Sequence, residues 1–383
     1  MLDSLGISRT LLSSIFAISM IVYGIGMPIA GYLVGQLGTR FVLLAGAAII
    51  AVSMVWTVCT NEPVSFTLAY GILLSFGLSF TSPIAVTPIV SKWFTRQRGK
   101  ALFYLSTGSM GGIATMTPAF TSMIEWVGWR ATLLLLAVLF LVLILPSGLI
   151  LSDDAPVNTD LLPGQIMTNR IDVSEPMISL DRWTDALVTR PFWQITFGLF
   201  VCGFSMNLLG SHGVPMLTDH GFHEQTASFS VGLIGLVAMI SSVFLGELSD
   251  RISKRSLLSV IYIFRGAEFL LIVLTMSAWQ LYAVSAFGGL VWAGSTALSS
   301  AILGTLYGLR WLGVLYGWSY FIHQIGGAVG VFAAGWGYEV FGTHFFSFGI
   351  ASGLLALASF VCLRLPDCAT GKIIERRGAI KWN

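Results

Sequence analysis

Of 383 residues, 55% are apolar and only 10% charged, and the mean hydropathy is +0.84. Soluble domains carry roughly a quarter charged residues, so a chain this poor in charge cannot keep its apolar surface from water, and it is expected to be an integral membrane protein. The net charge of +2 is uninformative as a total, because in such proteins the placement of Lys and Arg carries the signal; the four cysteines, Cys59, Cys202, Cys362 and Cys368, lack Cys-x-x-Cys spacing and exclude a cysteine metal knuckle.

Met1 to Arg9 is too short and too polar for the apolar region of a signal peptide. A helix needs about 20 apolar residues to cross a hydrocarbon layer of about 30 Å. Runs of that kind cover residues 11–36, 40–60, 64–90, 99–122, 130–151, 192–216, 226–248, 256–276, 279–305, 312–338 and 344–364, and predict about 11 membrane helices. Residues 152–190 are polar, with Asp153, Asp154, Pro156, Pro163 and Pro176. They read as a cytoplasmic linker between an amino-terminal bundle over 1–151 and a carboxyl-terminal bundle over 191–366, with a tail over 367–383. Ser179 to Val188 offers a helix start followed by apolar residues at helical spacing, which predicts a short amphipathic helix on the membrane surface.

Alternate crossing places all of the 20 Lys and Arg residues on one side except Arg9 and Arg130, which fall opposite, and Arg265, which falls inside a span. The positive-inside rule makes the populated side cytoplasmic. The carboxyl terminus is then expected in the cytoplasm and residue 1 outside, in a plasma or cytoplasmic membrane.

The loop Gly246-Glu247-Leu248-Ser249-Asp250-Arg251-Ile252-Ser253-Lys254-Arg255 has a degraded copy, Gly31-Tyr32-Leu33-Val34-Gly35-Gln36-Leu37-Gly38-Thr39-Arg40. A charged loop repeated between apolar runs marks a duplicated helical unit, one way to build two bundles with a path between them. Lys92-Trp93-Phe94, Arg98-Gly99-Lys100-Ala101, Ser211-His212-Gly213-Val214-Pro215 and His323-Gln324-Ile325-Gly326-Gly327-Ala328-Val329-Gly330 extend the pattern. With the loop, these stretches resemble the major facilitator superfamily over nearly the whole chain, and more narrowly its monocarboxylate-transporter-like branch.

The family's loop reads Gly, three positions, Asp-Arg, one position, Gly, then basic residues. The second copy keeps Gly246, Asp250, Arg251 and Arg255, with Ser253 at the Gly position; the first keeps Gly31, Gly38 and Arg40 but has Gly35 and Gln36 for Asp-Arg. The resemblance implies an all-α, two-bundle membrane fold and transport by alternating access. Family members carry one helix more than the runs counted here, so the first is expected to be missing, with Asp3 to Thr10 resembling the external loop before the second. It also implies a cytoplasmic gate in which Asp250 and Arg251 engage helix ends; the plainer role for both is that of topology-setting charges. Gly35 and Gln36 cannot form such a pair, so the gate is expected to be asymmetric.

Charges within a bilayer cost a few kcal/mol or more, and Arg265 and Glu268, three residues apart in the eighth run, are the clear cases. Either Arg265 attracts an anionic substrate while Glu268 handles a proton, or the two form a structural ion pair. His212 and His323 are proton acceptors in a cavity or ordinary interhelical donors. Asn207, Tyr320 and Gln324, the larger polar groups within spans, are the expected pathway contacts. Glycines at four-residue spacing, Gly31 with Gly35, Gly108 with Gly112, Gly313 with Gly317 and Gly326 with Gly330, predict faces for close helix packing. His220, His223 and Glu224 read as a solvated connector rather than metal ligands.

No phosphate-binding Gly-rich loop, Gly-x-Ser-x-Gly or His-Glu-x-x-His motif is present, so neither direct ATP drive nor enzyme activity is expected. No cofactor or metal is expected either. The residues read as a secondary active transporter of a small organic solute, a monocarboxylate coupled to protons. The alternatives are a non-transporting receptor or sensor on the same scaffold and an inactive truncated transporter. Expected partners are the solute, protons and the lipid bilayer, with no nucleic acid and a monomeric chain.

Overall fold

A computed structural model describes residues 9–94, 97–150 and 176–366. Expectations for the first eight residues, for most of the linker and for the tail fall outside them. Among the described residues every regular element is a helix. In chain order these are α1 (Arg9–Leu37), α2 (Thr39–Cys59), α3 (Pro63–Phe66, continued by a π-helical stretch Thr67–Leu74 and by Ser75–Phe80) and α4 (Pro83–Trp93). They are followed by α5 (Arg98–Ile150), α6 (Arg190–Asp219), α7 (Glu224–Arg251), α8 (Lys254–Val273) and α9 (Ala278–Gly289). The last three are α10 (Gly294–Tyr307), α11 (Leu312–Phe341) and α12 (Phe345–Leu363).

Each of the predicted runs falls on helix. Nine stretches of the described residues are long and apolar enough to cross a membrane. The two other predicted runs, 99–122 and 312–338, lie within α5 and α11. The second of these is diluted by Trp318, Tyr320, His323, Gln324 and several glycines. Gly38 and Gly128 carry φ of 84° and 80°, a conformation that costs glycine little. The first turns the chain from α1 into α2, and the second breaks α5 into two limbs. Exposed side chains such as Phe332, at 72%, and Phe244, at 69%, give the helices an apolar exterior suited to lipid.

The chain divides into two compact units. The first takes the described residues of Met1–Trp93, Thr115–Val157 and Gly313–Phe321. Its core joins Ala30 and Val34 of α1, Val42 and Leu43 of α2, Phe80 of α3 and Ala85 of α4. Lipid tails are as apolar as leucine, so this packing is held by close van der Waals contact rather than by exclusion of water.

The second unit takes the described residues of Phe94–Ala114, Asn158–Leu312 and Ile322–Asn383. Ahead of α6, Trp183–Val188 forms a 3-10 helix with Asp185 bonded back to the Arg182 N–H at 3.0 Å, the geometry of a capping box. Upstream, the Ile178 N–H reaches the Leu306 carbonyl at 2.8 Å, satisfying one of the carbonyls left open where α10 ends.

One long apolar run in each half is interrupted, and in both halves it is the second span after the repeated loop. In the first half the break falls at Thr81 and Ser82, between α3 and α4. Pro83 there has no N–H and disfavours a helical residue before it, and Ser82 Oγ accepts the Ile84 N–H at 3.3 Å. In the second half the break covers residues 290–293, between α9 and α10, where Gly288, Gly289 and Gly294 weaken the helix. A broken helix in hydrocarbon must find other partners for its carbonyls. That requirement builds the candidate site.

Candidate functional site

Arg265 and Glu268 lie on α8 and are fully buried; they are the only Lys, Arg, Asp or Glu side chains among the described residues that are. The Arg265 guanidinium serves the break between α9 and α10. Nη2 donates to the Val291 carbonyl at 3.2 Å and to that of Trp292, and the guanidinium carbon stands 4.9 Å from the centre of the Trp292 ring. Nη1 donates to the Cys202 thiol of α6 at 3.3 Å, and Cys202 in turn lies 3.1 Å from Ser295 Oγ at the start of α10. Ser241 of α7 donates to the Gly289 carbonyl at 3.1 Å, beside the Trp292 N–H that the same oxygen accepts at 3.4 Å. A planar fork of five donors suits the task of bonding several carbonyls at once.

Glu268 does not join this network. Neither carboxylate oxygen has a hydrogen-bond partner among the described residues. The carboxyl lies directly against Gly288, where a Cβ would stand 1.9 Å from Glu268 Cδ. Arg265 and Glu268 share a helix face but make no hydrogen bond to each other, so the structural ion pair is not formed in this arrangement.

The other pathway candidates are distributed. His323 of α11 is buried, and its carbonyl sits where a Cβ on Gly203 would stand, at 1.9 Å, which places it beside Cys202. Asn207 bonds its own helix, Nδ2 to the Gly203 carbonyl at 3.0 Å, and covers Gly327. Gln324 is half-buried on α11. His212 lies further along α6, with Nδ1 2.8 Å from Ser211 Oγ. Tyr320 belongs to the first unit, with its ring edge-on to Tyr316. The structure thus brings Arg265, His323 and Ser295 around Cys202, with Trp292 on the far side of the guanidinium's contacts. The sequence reading missed the central cysteine, because an isolated apolar-like residue carries no spacing signal.

The repeated loop has partners of its own. The Asp250 carboxylate accepts the Gly99 and Lys100 N–H groups at 3.0 Å each. These are open donors of the first turn of α5, where a negative charge also meets the positive end of the helix dipole. Glycine at 99 permits the approach, since a Cβ there would lie 2.6 Å from Asp250 Oδ1. Lys100 Nζ pairs with Glu247 at 2.9 Å in a solvent-exposed bridge. Further along, Gly246 packs on Phe103, Ser242 Oγ bonds Thr107 Oγ1, and Met239 meets Gly111. Arg255 donates to the Leu365 carbonyl at 3.0 Å, and Arg251 is exposed.

In the first copy Gly38 forms the turn, Arg40 is exposed, and Gly31 packs against Gly313.

Comparison with known proteins agrees with this architecture. The family model for the Major Facilitator Superfamily matches residues 1–267 and 195–379. An uncharacterised transporter of that type from Bacillus subtilis, YcxA, is 25% identical over 345 residues, covering 88% of this chain and 81% of its own. The oxalate:formate antiporter of Oxalobacter formigenes is 25% identical across 95% of this chain and 85% of its own, and monocarboxylate transporter 13 of Rattus norvegicus is 25% identical across 92% and 79%. Among solved structures, the E. coli fucose:proton symporter FucP superposes with a TM-score of 0.71 over 96% of this chain and 93% of its own, at 13% identity, a likeness of fold alone. The chain belongs to the major facilitator superfamily, multi-pass membrane proteins that transport small solutes.

Proposed function

We propose that this chain is a secondary active transporter of a small organic anion, a monocarboxylate moved with a proton, working by alternating access of bundles over 1–151 and 191–366. The observation that carries the reading is the guanidinium of Arg265 at the interrupted helix α9–α10. Interrupted spans in corresponding places of a duplicated transporter mark the substrate site, and the cation there has no hydrogen-bonded carboxylate to neutralise it. Two relatives are named for carboxylates, which supports the same class of solute. Glu268, one turn from the guanidinium, supplies a carboxyl able to carry the proton. His212, Asn207, Tyr320, His323 and Gln324 complete the proposed pathway.

In this reading the Asp250 loop is cytoplasmic and closes that side by holding the start of α5. The carboxyl terminus is cytoplasmic too, and the membrane is the plasma or cytoplasmic one.

The test is flux in vesicles reconstituted with the purified protein. Labelled formate, lactate and oxalate are each offered with and without an inward proton gradient. Accumulation of a monocarboxylate that rises with the gradient is the expected outcome. Saturable binding without flux would instead make the chain a receptor on a transporter scaffold.

A further inference from the structure

Arg265 and Glu268 stand one turn apart on α8, buried and of opposite charge, yet unbonded to each other. An unpaired charge away from water is costly, and the i, i+3 spacing would allow this one to be paired. Instead the guanidinium holds the carbonyls of Val291 and Trp292, and the carboxyl rests on Gly288. Arg265 Nε and both Glu268 oxygens have no hydrogen-bond partner among the described residues. Two side chains of one helix therefore grip the interrupted helix on either side of Gly289, each with bonding capacity unused.

We infer that this is one of two arrangements, and that Arg265 exchanges between the carbonyls of the α9–α10 break and the carboxylate of Glu268, setting the bend of that helix. In the first arrangement the break is pinned open and Glu268 is unpaired. In the second the charges pair, the carboxyl leaves Gly288, and the Val291 and Trp292 carbonyls are released to other partners. The cost of an unpaired carboxyl in one state is set against the cost of freed carbonyls in the other, and such near balance makes an element bistable. The inference rests on the proposed transport only for its use: a carboxylate solute at the break would compete with Glu268 for the same guanidinium, so binding would favour one bend over the other.

The test reads the bend directly. Nitroxide labels are placed at two exposed positions, by Trp279→Cys in the first turn of α9 and by Arg310→Cys just past the end of α10, in a Cys59→Ser, Cys368→Ser background that keeps the buried Cys202 and Cys362. Pulsed spin-resonance distances are then recorded on the full chain in lipid. Glu268→Gln removes the charged partner and is expected to collapse the distribution onto the pinned population. Gly288→Ala puts a methyl where the carboxyl rests and is expected to shift the distribution towards the second population. Glu268→Asp, which shortens the side chain away from Gly288 while keeping its charge, is expected to shift it the same way and serves if Gly288→Ala does not fold. Distributions equal to that of the parent in Glu268→Gln and the folded partner variant, or shifted in the same direction in both, overturn the inference. Distances need no solute, so absent flux with the expected shifts refutes the transport reading alone, and normal flux with unmoved distances refutes the exchange alone.

Discussion

Gly31 of α1 and Gly313 of α11 meet backbone to backbone: a Cβ on Gly31 would lie 2.1 Å from the Gly313 carbonyl oxygen. One turn along, a Cβ on Gly317 would lie 2.7 Å from Pro28 Cα. Gly35, a turn after Gly31 on the same helix, has nothing within 4 Å. Gly31→Ala is therefore expected to destabilise the protein by about 1–3 kcal/mol, as overpacking does. Gly35→Ala should be neutral or stabilising by up to about 1 kcal/mol, from helix propensity alone. Thermal unfolding of the two variants in detergent distinguishes them, and equal melting temperatures would refute the contact.

Asp250 bonds two open donors at the start of α5. Asp250→Asn keeps one acceptor but loses the charge and the second. A charge-assisted bond near a helix terminus contributes about 1–3 kcal/mol, so Asp250→Asn should lower thermal stability by about that amount and slow flux without preventing membrane insertion. Glu247→Gln breaks only the exposed bridge to Lys100 and should change little in either measurement. If the two variants behave alike, the loop acts through its charge alone.

The spans and the repeated loop were legible in the sequence because hydropathy and a ten-residue motif are local signals. The partner of Asp250 was not, since Gly99 lies 151 positions away. Four-residue glycine spacing identified a helix face but not its neighbour: Gly313 and Gly317 meet α1, Gly326 and Gly330 meet the α6 carbonyls of Phe200 and Phe204, and Gly108 and Gly112 meet nothing within 4 Å. The break at 290–293 was hidden, because Leu290, Val291, Trp292 and Ala293 prolong an apolar run whether or not the helix continues. Arg265 and Glu268 were found by their cost in a bilayer. Their partners depended on that hidden break, and so the sequence left a substrate site and a structural ion pair as alternatives.

Arg265→Lys tests the hold on the break. Lysine keeps the charge but lacks the fork that reaches Val291, Trp292 and Cys202 together. Each buried carbonyl left without a donor costs about 1–3 kcal/mol. Arg265→Gln should therefore reduce the yield of monodisperse protein sharply, and Arg265→Lys should restore part of it. Equal yields from parent and Arg265→Gln would show that the carbonyls find other partners unaided.

Tyr307 tests whether the docked end of the linker stabilises the second unit. Its hydroxyl lies 2.5 Å from Thr189 Oγ1, and Thr189 already donates to the Ala186 carbonyl at 2.6 Å, so the tyrosine is the donor between them. Tyr307→Phe removes this bond, an expected loss of about 0.5–1.5 kcal/mol. Thr189→Val removes that bond and also the one from Thr189 to the Ala186 carbonyl. Because Thr189→Val already removes the bond that Tyr307 makes to it, the double variant should be no less stable than Thr189→Val alone. Loosening of the linker should also expose Arg182 to trypsin in Tyr307→Phe sooner than in the parent, and additive losses with unchanged cleavage would mean that the contact is incidental to the docking.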